Sequence, residues 1–375
     1  MLASLPRMNL VSWWARSLGL AVLGGACLLG CDDSEVLSTP GGAGGAGGTG
    51  VSGSSGQGGS GGSGQAGSSG ITEQIDLAAP ASPEVGWQVK IPEFSVASGE
   101  EIQNCYFVEV PYDEPVYAGK ITLAQNLGSH HLNVFRVKTI KGLGGKPGDA
   151  VTGAGSECWK SSNWSDWPLV ANMQLAGVNE WEMPKGVAHR FEPHELLMVQ
   201  THFVNATTQK APLGGKVFIN FERTPAAEVT DEVGTAFATN QGIEVCPGDK
   251  DKSFETHCRF AKDKPVTIIA ANGHFHSRGQ KFSMSVWDSK DGASGTSFYE
   301  SKVWDEPPFE RGLNVLVPPG GGVDYKCEYT APPDSCGDPA NQCCFTFGPK
   351  VETNEHCNAF VYYYPRRTDT DVNCF

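Results

Sequence analysis

The sequence predicts an all-β protein of two antiparallel sandwiches, carried behind an export signal and a flexible tether. Three observations lead there. From residue 73 onward, short runs of β-branched and aromatic residues alternate with Gly, Pro and Asn/Asp turns. No stretch in that region shows a convincing amphipathic helical period. Length points the same way: 375 residues, less the two leading segments, make about two domains.

The leading segments come first. Arg7 and Arg16 precede an apolar run from Leu18 to Leu29, too short to span a bilayer as a helix. It ends in Leu28-Leu29-Gly30-Cys31, which resembles a bacterial lipobox. The resemblance implies a signal peptide over 1–30, cleavage before Cys31 and lipidation of that cysteine. A plain signal peptide with a nearby cysteine is the competing reading. Residues 38 to 70 are almost entirely Gly, Ser, Ala, Thr and Gln, so 31–72 reads as a lipidated cysteine on a disordered, solvated linker. The expected address is outside the cytoplasm, lipid-anchored to a bacterial membrane on its periplasmic or cell-surface side. Lipid is the only membrane contact expected, since no later stretch is apolar enough to cross.

The net charge of −14 argues against a nucleic-acid partner, which calls for clustered Lys and Arg. The chain has 12 cysteines. Cys27 leaves with the signal and Cys31 takes the lipid. The even remainder in an exported chain reads as disulfides, and no paired C-x-x-C supports a thiolate metal site.

The predicted strands run in order. In the first sandwich, residues 73–225, they include Gly86-Trp-Gln-Val-Lys-Ile, Cys105-Tyr-Phe-Val-Glu-Val, Val134-Phe-Arg-Val, Leu196 to Phe203 and Lys216 to Phe221. A proline-marked stretch at Thr224-Pro-Ala-Ala suggests the seam. The second sandwich, 226–375, contains Pro265 to Ala271, rich in β-branched residues, and the aromatic run leading from Glu355 to Tyr364.

Histidines mark the candidate site. In Asn272-Gly273-His274-Phe275-His276, two histidines one residue apart point the same way from an extended segment. Paired imidazoles suit copper or zinc. Gly273 and Gly279 bracket the pair and would let the backbone turn at a strand end. His130 and His131 are adjacent, so they share a ligand only at a strand end or a bulge, and Gly128-Ser129 before them offers such an end. His202 ends an apolar strand in Gln200-Thr-His-Phe. His189 and His194 read as loop residues without a role. Trp159, Trp164, Trp167 and Trp181 could line a surface, but aromatic rings in β proteins mostly pack.

The order of these pieces is more informative than any one. His-His, then Q-x-H-F with Asn205 after it, then H-x-H-x-x-G, then E-x-C-N before an aromatic strand, resembles the copper type II, ascorbate-dependent monooxygenases. Dopamine β-monooxygenase and peptidylglycine α-hydroxylating monooxygenase typify that family. The resemblance covers about residues 75 to 375. It implies two jelly-roll-like domains facing an open cleft, each holding one copper. It implies that His130, His131 and His202 hold the electron-supplying copper. His274 and His276 would hold the copper at which oxygen and substrate react. The family's third ligand there is a methionine, and His356 stands in its place. Imidazole favours Cu(II) more than a thioether does, so the copper couple should shift that way. Met284 is a weaker candidate for the lost ligand.

The implied reaction hydroxylates a C–H bond of a small-molecule substrate with O2 and ascorbate or another one-electron reductant. His274, His276 and His356 would form its catalytic centre, with two coppers per chain. Asn272 replaces the arginine of the peptide-amidating branch and Phe360 replaces a tyrosine, although Asn358 is kept; this argues against peptide amidation. The resemblance also pairs Cys327 with Cys357 and Cys105 with Cys158. The remaining pairings stay open, with Cys374 expected at Cys246 or Cys258 and a small bridge among Cys336, Cys343 and Cys344. Two other functions compete: a non-catalytic copper-binding or electron-transfer lipoprotein, and a three-histidine zinc site.

Replacing Cys31 with Ser is expected to move the exported chain from the membrane to the soluble fraction, as read by cell fractionation.

Overall fold

Strands built from those β-branched and aromatic runs make up the protein, and among the described residues there is no α-helix, only short 3-10 turns. The computed structural model describes residues 75–138, 150–152, 167–206, 212–288, 294–367 and 372–374. The expected tether and lipobox lie outside them, as do Cys158, Trp159 and Trp164. No described helix is long and apolar enough to cross a membrane.

In the first half, a six-stranded sheet joins Gly86–Lys90, Val217–Arg223, Val116–Gln125 and Val187–Phe191, with Gly177–Glu182 beside Val116–Gln125, and takes its sixth strand, Asp231–Glu232, from just past the expected seam at 225. A five-stranded sheet faces it, ordered Ala150–Thr152, Glu101–Glu109, Leu196–Val204, Ser129–Arg136 and Leu169–Met173. Their inner faces meet in one core, where Trp87 stacks on Phe221 at 4.6 Å and Phe107 meets Trp167 edge-on. Trp167 and Trp181 are therefore packing residues.

The second half repeats the plan. A five-stranded sheet is ordered Glu310–Val317, Val266–His274, Asn358–Tyr364, Gly234–Thr239 and Val372–Cys374. It packs on a four-stranded sheet of Lys252–Arg259, Gly322–Tyr329, Gly279–Trp287 and Ser294–Ser301. Met284 is fully buried in this core, which makes it filler rather than a ligand. Between the halves the chain makes a 3-10 turn at Ala226–Glu228. The halves are joined further: Phe237, Ile269, Phe309, Phe360 and Tyr362 of the second belong to the core of the first.

Two local readings change. His189 lies within strand Val187–Phe191 and is buried against Trp181, not in a loop. The run from Glu355 is broken: Asn354–Glu355 pairs with Phe345–Phe347, and a new strand starts at Asn358. His356 and Cys357 occupy the break.

The disulfides hold that break in place. Cys327 bonds Cys357, beside His356, and the Tyr329 hydroxyl donates to the His356 carbonyl. Cys258 bonds Cys374, Cys246 bonds Cys344, and Cys336 bonds Cys343. Cys105 is also disulfide-bonded. Such bridges form in oxidising compartments. Replacing Cys327 and Cys357 together with Ala is expected to cost about 2–4 kcal/mol in urea unfolding, because the bridge restrains the unfolded chain.

Candidate metal centre

Four chain segments deliver six histidines to one place. Strands Ser129–Arg136 and Leu196–Val204 are neighbours, and His202 sits directly opposite His131. The next pair is Phe203 with Ser129, so the register slips and His130 is the extra, bulged residue. That bulge frees His130 from the strict alternation that would turn it away from His131. Gly128 ahead of it has φ +88, a conformation glycine adopts without strain. From the second half, Val266–His274 pairs with Asn358–Tyr364, setting His274 opposite Asn358 and close to His356.

His274 and His276 both turn into the cluster, while Phe275 between them is buried on the other side against Phe282. Gly273 and Gly279 serve this packing rather than a turn. Neither has positive φ, but a Cβ on Gly279 would lie 1.9 Å from Phe275, and one on Gly273 would lie 2.3 Å from Phe282.

None of the six histidines is more than 6% exposed. Neighbouring rings have centroids 4.4 to 5.4 Å apart, and this holds across the halves: His130 is 4.8 Å from His274 and 5.3 Å from His276. The two sets therefore adjoin instead of facing each other across the open cleft that the resemblance implies. Two groupings bring ligand atoms within 4.8 Å of one another: His130 with His131 and His202, and His130 with His274 and His276. His130 is common to both. His356 stands outside these triads, with its Nδ1 3.0 Å from His274 Nε2.

Neighbouring groups set which ring nitrogens face inward. Glu101 Oε1 lies 2.7 Å from His202 Nε2 and also accepts from the Val351 N–H at 3.1 Å. Gln174 Oε1 lies 2.6 Å from His274 Nδ1, while the Gln174 amide donates to the Gly273 carbonyl. The Asn354 carbonyl lies 3.0 Å from His276 Nδ1. Each contact assigns the ring proton to the outer nitrogen and leaves a lone pair on the inner one. His130 Nε2, His202 Nδ1 and His276 Nε2 are buried with no hydrogen-bond partner among the described residues. Buried lone pairs aimed at one another are costly unless a cation takes them.

Electrostatics prepare the set for a metal. Burial pushes His130, His131, His274 and His356 well below the usual imidazole value, and neighbouring histidines push them further. Burial lowers His276 to about 4, against the opposing pull of the Asn354 carbonyl. At neutral pH these rings are uncharged, the form that binds metal. Burial would raise Glu101, but the His202 hydrogen bond and charge outweigh it and hold the carboxyl below its usual value. Glu355 accepts from the backbone N–H groups of His276 and Arg278, both at 3.0 Å, and burial lifts its carboxyl to about 7.

The histidine groups can hold a metal ion. Glu101, Gln174 and Glu355 support them, and of the three only Glu355 stands in a motif of the sequence, as the Glu of E-x-C-N. Glu101 and Gln174 lie in no motif, and only the tertiary fold brings them to the rings. His194 is exposed and paired with Glu109 and Asp113, far from this chemistry.

No family model and no curated protein matches the chain. Three solved structures share some of its course. A crystal structure of the STIV MCP matches at 9% identity and TM-score 0.32, over 76% of this chain and 98% of that one. The PBSX exported protein XepA matches at 8% and 0.22, over 76% and 90%. PBCV-1 VP54, fitted into a reconstruction of the virophage Sputnik, matches at 10% and 0.23, over 74% and 93%. Likenesses this distant carry nothing about the histidine cluster.

The depressed imidazoles predict acid lability of the metal-free protein. The unfolded chain takes up protons near the ordinary imidazole value of 6.5, whereas the fold keeps His276 neutral to about 4. Stability from these groups is complete above 6.5 and is lost as pH falls toward 4. Glu355, raised from 4.5 to about 7, opposes this as a single group. The urea midpoint of the metal-free chain is expected to fall between pH 7 and pH 5; a flat or rising midpoint would contradict the burial of neutral imidazoles.

Proposed function

We propose that the protein is a copper-dependent monooxygenase that hydroxylates a C–H bond of a small molecule, using O2 and ascorbate or another one-electron reductant. One observation carries the reading: six histidines from four separated segments, in the order of the copper type II family's motifs, meet in one buried cluster. Imidazole donors bind copper most strongly among the common divalent first-row metals. The donor set fits, since contacts from outside orient His202, His274 and His276 and burial keeps His130, His131, His274, His276 and His356 uncharged at neutral pH. His130, His131 and His202 would hold one ion. His274, His276 and His356 would hold the other, with His130 close to both.

His356 fits a ligand role by distance. Two nitrogens about 2.0 Å from one ion at a tetrahedral angle lie roughly 3.3 Å apart. The His274–His356 separation of 3.0 Å is near that value.

The overall reaction converts R–H, O2, two electrons and two protons to R–OH and water. Bound copper would supply the redox chemistry and activate oxygen, and the two electrons would come from two one-electron oxidations of the reductant. The chain's own residues do the rest. Glu101, Gln174 and the Asn354 carbonyl hold the rings in the tautomers that ligate. The Cys327–Cys357 bridge and Tyr329 hold the His356 backbone. Burial excludes bulk water from the cluster. The lipid at Cys31 and its tether would place this site outside the cytoplasm, close to a membrane.

A second reading, a copper-binding or electron-transfer lipoprotein without catalysis, draws on one specific observation. The cluster is deeply buried, and the pocket against it, about 20 Å³, has no room for an organic substrate.

Two coppers per chain are expected after loading and desalting, with one lost in His274→Ala. His356→Ala is expected to weaken the second copper at least about tenfold, the scale of a lost ligand-shell contact. Unchanged copper affinity would remove His356 from the ligand set. Ascorbate-driven oxygen uptake with a hydroxylated product supports the enzyme, while copper binding without uptake leaves the second reading.

A further inference from the structure

The pocket behind the histidines is formed by both halves. It is lined by His131, His274 and His356, by Phe135, Phe237 and Phe360, and by the amides of Asn133, Gln200 and Asn358. Phe237 and Phe360 are cross-strand partners and stack at 5.0 Å with planes 6° apart. Phe135 reaches Phe237 from the opposite sheet at 6.3 Å. Three packed rings thus form the stiff apolar part of a pocket that the imidazoles also line.

The polar side chains at its edge mostly satisfy one another. Asn133 donates to Gln200 Oε1 at 2.8 Å and accepts from Asn172. Asn358 Oδ1 is left over. His131 Nδ1 and Nε2 also have no hydrogen-bond partner among the described residues, and with one of them given to copper two polar atoms remain, fewer than the roughly three hydrogen bonds a buried water makes.

Size narrows the occupant. A cavity needs roughly 10–15 Å³ to hold one water, and cavities lined by apolar groups take up small nonpolar guests. The pocket measures about 20 Å³. That is more than one water and far less than an organic molecule.

We propose that this pocket is a dioxygen chamber of the histidine cluster, and that Phe237 and Phe360 set its affinity for the gas. The chamber rests on geometry alone, whereas its assignment to dioxygen rests on the monooxygenase reading above. An organic substrate then has to reach the histidines by another route.

Xenon is the probe for the chamber. In the full chain loaded with Cu(I), which is diamagnetic, protein is expected to shift the ¹²⁹Xe resonance in proportion to its concentration. Phe237→Trp, which fills the pocket, should lose the specific part of that shift. Phe360→Leu, which enlarges it, should increase the shift. Equal shifts in all three proteins would overturn the chamber, and Phe360→Leu keeps the test decisive if the tryptophan does not fit. In the copper-loaded chain, Phe237→Trp should raise the KM for O2 with copper content and the KM for ascorbate unchanged. An unchanged KM for O2 would overturn the dioxygen assignment. Xenon binding in a copper-loaded chain that consumes no oxygen would also overturn that assignment, through the failure of the monooxygenase reading, and would leave a gas chamber of another use.

Discussion

Six imidazoles packed against one another, out of reach of water, are the constraint on which this structure turns. Each ring has nitrogens that need a partner, and burial denies them solvent. Three outer nitrogens are satisfied by Glu101, Gln174 and the Asn354 carbonyl. The inner ones face one another, an arrangement that favours a cation strongly and disfavours protons. Burial that costs the metal-free fold stability below neutral pH is the same burial that prepares the site for metal.

This constraint explains how firmly the halves are joined. Glu101 of the first half accepts from the Val351 N–H of the second. Gln174 bonds both His274 and the Gly273 carbonyl. Asn172 accepts from Asn272, and its backbone N–H donates to the Tyr362 hydroxyl. The Thr235 hydroxyl donates to the Leu169 carbonyl. Nearly every one of these residues is buried, where hydrogen bonds are strong and unpaired groups are costly. The cluster is therefore a product of the assembled pair, since neither half owns both histidine sets or their supports.

The same assembly sets what can approach. Phe237 and Phe360 line a pocket together with His131, His274 and His356, and the Phe347 ring lies tilted 5.0 Å from His356. Trp304 lies 6.2 Å from His130 and is only half-buried. Residues that look like core packing in one sandwich thus become the walls of a site shared by both.

The fold class and the six histidines were legible from the chain because both are local signals. β-branched runs between turn residues mark strands, and H-x-H, HH and Q-x-H-F mark donors by spacing. The Cys258–Cys374 pair and a bridge between Cys336 and Cys343 were among the expected options, and Cys327–Cys357 followed from the resemblance. Other features depend on partners far away in sequence. The bulge that turns His130 inward appears only when Ser129–Arg136 meets Leu196–Val204. The roles of Gly273 and Gly279 depend on where Phe282 and Phe275 pack. His189 sits in a strand because Val116–Gln125 pairs with it. Glu101 and Gln174 belong to no motif, yet they choose the ring tautomers. By itself the sequence determined the donors, because coordination chemistry resides in side-chain identity. Only the tertiary structure decided that two histidine sets make one buried cluster, because distance, burial and dielectric belong to the packed sheets and not to the chain.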